Sequence, residues 1–148
     1  MTDRIERSIE LNAPVERVWR ALTDHREFGQ WFRVALDGPF VEGQPVTGHM
    51  TYPGYEHLKM EAQVVRMDAP HLFAFTWHPF AIDPAVDYSG EPQTRVEFRL
   101  EPTASGTRVT VSESGFDALP EPRRADALRS NEGGWTEQMQ NLRAHVEG

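Results

Sequence analysis

The chain has 148 residues, 39% of them hydrophobic and 26% charged, with a formal net charge of −8 and no cysteine. That length suits one globular core, so residues 1–148 are expected to form a single domain, and the composition gives no sign of disorder. The net negative charge disfavours phosphate backbones and anionic lipid as partners, and without thiols there are no disulfides and no iron–sulfur or thiolate–metal chemistry.

The N-terminal stretch MTDRIERSIELN alternates in charge and has no apolar run of signal-peptide length. No segment approaches the roughly 18 apolar residues of a membrane span, so a cytoplasmic protein without membrane insertion is expected. Within residues 4–12 the period is two. Ile5, Ile9 and Leu11 share a face, which predicts a half-buried strand, and Arg7 falls on that same face. APVERVWRALTD follows, with Pro14 in a position tolerated by a helix's first turn and Val15, Val18, Trp19 and Leu22 at helical spacing. HREFGQWF adds a further turn that ends in Trp31 and Phe32.

From Val34 to about Thr51, short apolar pieces broken by DG, EG and QP predict two short strands. LKMEAQVVRM, residues 58–67, alternates with Met60, Ala62 and Val64 on one face. LFAFTWHPF then reads as a strand that aligns Phe73, Phe75 and Trp77. Residues 81–93 carry two prolines and one glycine without periodicity, which predicts a loop long enough to act as a flap. TRVEFRLEP turns Val96, Phe98 and Leu100 inward, and a hairpin through TASGT leads to RVTVSESGF. Parity there places Glu113 inward beside Val109 and Val111.

The last helix is expected from about Pro120 to Val146, with Ala125, Leu128, Trp135, Met139, Leu142 and Val146 on one stripe and Glu132 among them. Gly133 and Gly134 lie inside it, although each interior glycine costs about 1 kcal/mol relative to alanine. Gly134 sits beside the Trp135 stripe, so its missing side chain serves either close helix–sheet approach or room for a ligand. Strand, short helices, further strands in hairpin succession and one long helix together predict an α+β fold with an antiparallel sheet.

APVERVWRALTD followed by W-F, the late strand VTVSESGF, and G-W seven residues before a leucine resemble the activator of heat-shock-protein-90 ATPase-like family of the START-like, or SRPBCC, superfamily. The resemblance runs through nearly the whole chain in order. It implies a helix-grip fold, like that of the birch-pollen allergens, in which a curved antiparallel sheet of six to seven strands wraps the C-terminal helix around a mainly apolar cavity. It also makes the first and last strands antiparallel neighbours, so that Arg7 and Glu113 are candidates for a cross-strand ion pair, either structural or ligand-orienting. Members of the superfamily bind lipids, hormones, polyketides and other hydrophobic molecules, and some are enzymes. Co-chaperone activity is not expected to carry over, since these 148 residues leave no room for the N-terminal chaperone-binding domain of the eukaryotic co-chaperone. Nor is the vanillate demethylase reductase label of some relatives, which requires flavin, nicotinamide and an iron–sulfur cluster.

The expected ligand-binding residues are Trp31, Phe32, Met60, Phe75, Trp77, Phe98, Glu113, Gly134, Trp135 and Met139: large aromatics, flexible methionines and a few inward polar groups. Taken singly, the apolar ones are equally consistent with core filling. Glu132 is either an edge imperfection of the helix or a pocket group. The histidines, His25, His49, His57, His71, His78 and His145, lack the close spacing with carboxylates that a metal site needs, so no metal and no cofactor are expected. The leading expectation is a binding protein for a small hydrophobic or aromatic molecule, monomeric or homodimeric. The alternatives are a cyclase- or dehydratase-like enzyme using His49 or His78 with Tyr52 or Glu113, or a co-chaperone-like interaction module.

Overall fold

The computed structural model describes residues 4–83 and 85–148, so residues 1–3 of the N-terminal stretch and Pro84 of the expected flap lie outside it. Strand β1 (Arg4–Leu11) leads into helices α1 (Val15–Thr23) and α2 (His25–Phe32). Strands β2 (Val34–Leu36), β3 (Pro45–Met50), β4 (Lys59–Asp68), β5 (Leu72–Trp77), β6 (Thr94–Pro102) and β7 (Thr107–Ser114) follow, and helix α3 (Glu121–Glu147) closes the chain. The seven strands form one antiparallel sheet in the order β1-β7-β6-β5-β4-β3-β2, and α3 packs against β1 and α2. This is the helix-grip arrangement.

The strands form where alternation is cleanest. On β6 and β7, Val96, Phe98, Leu100, Val109 and Val111 are buried and Arg99 and Arg108 are exposed, so one face seals the core while the other meets water. The α1–α2 corner is set by Asp24. Its extended backbone ends α1, while its side chain accepts hydrogen bonds from the backbone N–H groups of Arg26 and Glu27 and so caps α2. Arg33, in the left-handed region at φ 68°, ends α2 and turns the chain into β2.

Two expectations are corrected. The buried face of α3 runs through Ala127, Trp135, Met139 and Leu142, with Asn131 half-buried between them, whereas Ala125 and Glu132 are exposed. In the helix's first half Leu128 of the expected stripe is half-buried against the core, but the positions beside it, Ala127, Asn131 and Gly134, are small or polar and leave little hydropathy signal. The second correction concerns the ion pair. Glu113 stands opposite Ile5 in the β1–β7 register, and Arg7 opposite Val111. Arg7 swings onto α3 instead, donating from Nε to Thr136 Oγ1 at 3.0 Å and from Nη2 to the Glu132 carbonyl at 3.3 Å.

The three helices are tied by one carboxylate. Glu27 of α2 is met by Arg17 at 2.7 Å and Arg20 at 2.8 Å from α1 and by His145 Nε2 at 2.9 Å from α3. Burial by itself raises the Glu27 pKa, but the hydrogen bonds from His145, Arg17 and Arg20 and the Arg17 charge outweigh it and hold the carboxyl below its ordinary 4.5. A carboxyl depressed in the folded state contributes stability that is present above its unfolded pKa and is lost as pH falls through its folded one. Glu27→Gln should therefore lower the melting temperature near neutral pH, and the gap to wild type should narrow once pH drops below about 4.5. Thermal scans across that range check this, and a gap of constant size would contradict it.

Candidate functional site

A cavity of about 260 Å³ lies between the sheet and α3. Met60 of β4 and Trp77 at the end of β5 form its sheet wall; Phe32, the last residue of α2, closes one end. Helix α3 supplies Asn131, Gly134, Trp135 and Gln138. His78, Phe80, Ala81 and Ile82, just beyond β5, cover the mouth, where the exposed Lys59 and Glu61 also stand. The rings of Phe32, Trp77 and Trp135 form a triangle with centroids 6.0 to 6.1 Å apart, the two indoles inclined by 32°. Such tilted and offset geometries are the ones favoured between aromatic quadrupoles.

Beneath this triangle lies Glu113, whose relative exposure is 0%. Its Oε1 accepts from Trp135 Nε1 at 2.8 Å and Asn131 Nδ2 at 2.9 Å, and its Oε2 from Trp77 Nε1 at 2.7 Å and Thr94 Oγ1 at 2.5 Å. A carboxylate offers about four acceptor sites, and four neutral donors and no cation surround this one. The inward parity of Glu113 was readable from its strand; its partners come from β5, β6 and α3, which no sequence spacing joins.

The expected site residues divide. Phe32, Met60, Trp77, Gly134 and Trp135 border the cavity. Trp31, Phe75, Phe98 and Met139 do not; they are packed in the core behind it. Trp31 is turned inward by its indole hydrogen bond to the Ala21 carbonyl at 2.8 Å and stands edge-on to Phe28 and Phe98. Glu113 holds three wall residues, Trp77, Asn131 and Trp135, and is not itself among the lining residues. Asn131 was not singled out, because an asparagine within a helix carries no marker of a site until its partner is known.

Gly134 is settled by space. A Cβ built there meets nothing within 4 Å, so the missing side chain leaves room over the cavity and does not serve close packing. The same holds for Gly133, which is exposed on the flank. Of the histidines, His78 borders the cavity and bonds through Nε2 to the Glu91 carbonyl at 3.0 Å, while His49 is exposed on β3. Tyr52 lies elsewhere, its hydroxyl accepting from Asn141. Among the described residues, no group of three or more His, Asp or Glu side chains is placed to hold a metal, and no helix is long and apolar enough to cross a membrane.

The flap is fastened by Arg123 in the first turn of α3. Its guanidinium donates to the Pro79 and Phe80 carbonyls and to Glu91, each at 2.8 Å, and lies 4.7 Å from the Tyr88 ring centroid.

A sheet gripping a C-terminal helix over a cavity defines the START-like, or SRPBCC, class of domain, a fold compatible with holding a small ligand. The chain belongs to the Activator of Hsp90 ATPase homolog 1-like protein family, which matches it over residues 12–147. Among solved structures it is similar to protein MLL2253 from Mesorhizobium loti, with a TM-score of 0.76 and 22% identity over 97% of this chain and 96% of that one. A protein from Arthrobacter aurescens gives a TM-score of 0.78 at 21% identity over 98% and 86% of the two chains. DynU16, a putative protein of the dynemicin biosynthetic locus, gives 0.76 at 22% identity; 99% of this chain covers 48% of that one. At these identities the likeness is one of fold. No curated protein matches the sequence significantly.

Removing the buried carboxylate should be costly, since each orphaned buried donor carries a penalty of about 1–3 kcal/mol. Glu113→Leu is expected to lower unfolding free energy in urea by about 3 kcal/mol or more. Glu113→Gln, which keeps the shape but turns one acceptor into a donor, should cost about 1–3 kcal/mol. A loss below about 1 kcal/mol for the leucine variant would mean that the indoles and amide find other partners.

Proposed function

We propose that the protein binds a small hydrophobic or aromatic molecule in the cavity between sheet and α3. The observation that supports this best is the open space above Gly134, facing the Phe32–Trp77–Trp135 triangle. A helix gains about 1 kcal/mol by replacing an interior glycine with alanine, so Gly134, with nothing to collide with, stands in α3 against its own propensity. A cavity of about 260 Å³ falls just below the roughly 300–1,000 Å³ of sites for drug-sized ligands, which points to an occupant of one or two rings.

Turnover has weaker support. Of the acid–base groups expected from the sequence only His78 borders the cavity: Glu113 is enclosed by its own donors and His49 is outside the lining, while the other titratable lining groups, Lys59 and Glu61, are exposed at the mouth. Binding is therefore the function the geometry favours.

Calorimetric titration with naphthalene, a neutral probe of two rings, tests the reading. Wild type should show saturable uptake. Gly134→Leu should fold normally and bind at least about tenfold more weakly because the leucine occupies the cavity. Gly133→Ala should bind as wild type does and gain about 0.5–1 kcal/mol of stability. An absence of saturable uptake by the wild type would overturn the proposal, and collapse of the Gly134→Leu fold would indicate close packing instead of space.

A further inference from the structure

We infer that Asn131 makes the cavity selective for aromatic ligands that carry a hydrogen-bond donor, such as a phenol or another ring-borne hydroxyl. The inference rests on the ligand-binding reading above and specifies its chemistry. A carboxylate only accepts hydrogen bonds, so the Asn131 amide must present its NH₂ to Glu113 Oε1, as it does at 2.9 Å. That fixes the other end. The amide oxygen Oδ1 takes no hydrogen bond among the described residues, and it belongs to a residue that borders the cavity.

The other polar lining groups are engaged in part. Gln138 donates to the Phe32 carbonyl and accepts from Asn141, while His78 donates from Nε2 to the Glu91 carbonyl and keeps Nδ1 as a further acceptor. Lys59, Glu61 and Ser130 are exposed, so water serves them. Asn131 also resists reorientation, because flipping its amide would set a carbonyl oxygen against the carboxylate. Trp77 and Trp135 add to this. Both indole N–H groups are spent on Glu113, so the triangle offers the ligand ring faces and edges but no donor of its own. The wall thus presents aromatic surface and acceptors, of which Asn131 Oδ1 is the one whose orientation Glu113 fixes. A ligand whose polar atom only accepts, such as an ether or ketone, would meet Oδ1 with no hydrogen between them and lose its water without replacement.

Naphthol, its methyl ether and naphthalene test the inference by calorimetry on the intact chain. Simple transfer from water ranks naphthol lowest of the three, since its hydroxyl must be desolvated, so a preference for naphthol cannot come from hydrophobicity. Wild type should bind naphthol about tenfold more tightly than either of the other two, the worth of one well-placed hydrogen bond in a dry site. In Asn131→Leu, close in shape, the preference should fall, read as the ratio of naphthol to naphthalene affinity measured in that same variant, whatever its absolute affinity for either. Equal affinities, or a preference for the ether, would overturn the inference and leave the binding reading standing, while no uptake of any of the three would overturn both. If Asn131→Leu fails to fold, the ranking of the three ligands by the wild type alone still decides.

Discussion

A carboxylate withdrawn from water must have its lone pairs met by protein, and the donors that meet those of Glu113 come from three separate elements. Trp77 ends β5, Thr94 begins β6, and Asn131 and Trp135 lie one turn apart on α3. Each bond is short enough to fix a side chain's rotamer, and together they fix the height and rotation of the helix over the sheet. The hydrophobic core is non-directional and would tolerate small rotations of α3. The network would not, because rotating the helix breaks two bonds at Oε1 at once. The same constraint shapes the space beside it. Two indoles held by their N–H groups cannot fold inward to fill the cavity, so the group that clamps the helix also keeps the cavity open.

Three features therefore act together at one end of the grip. Glu113 sets the two tryptophans, Gly134 leaves the helix bare above them, and Phe32 at the end of α2 closes the ring triangle. Removing any large residue from this set would change the shape of the cavity. By contrast Trp31, Phe75, Phe98 and Met139 are packed in the core behind the cavity, and their contribution is to stability. The distinction is one of facing. Trp31 and Phe32 are neighbours in sequence, yet one indole is drawn toward the Ala21 carbonyl and the other ring borders the cavity.

The strands were legible because alternation with period two is a local property, and β6 and β7 carry it nearly without exception. Inward parity alone located Glu113. Its partner was not legible, because register between β1 and β7 is set by chain ends far apart in sequence, and Arg7 lies two residues along from Ile5, the residue opposite Glu113. The phase of α3 was read from its large apolar residues, which mark the face well from Trp135 to Leu142. Before Trp135 the buried face passes through Ala127 and Asn131, and a stripe drawn in steps of seven drifts to the helix edge at Glu132 and Ala125. Asn131 became a site residue only when the fold brought Glu113 beneath it. The glycines showed the reverse pattern. Their oddity was plain in the sequence, and the space around Gly134 supplied the reason.

Arg123 gathers the two ends of the flap onto one guanidinium, holding Pro79 and Phe80 on one side and Tyr88 and Glu91 on the other. A loop whose ends are already joined has paid its closure entropy before its tip moves. Motion of the tip then need not splay β5 from β6 or disturb the Trp77 bond to Glu113. Under the proposed binding role, entry and retention would then be mechanically separate: the segment between the fastened ends would govern how fast a guest exchanges and the floor beneath how tightly it is held, so that a change at Arg123 would speed arrival and departure alike and leave their ratio nearly where it was.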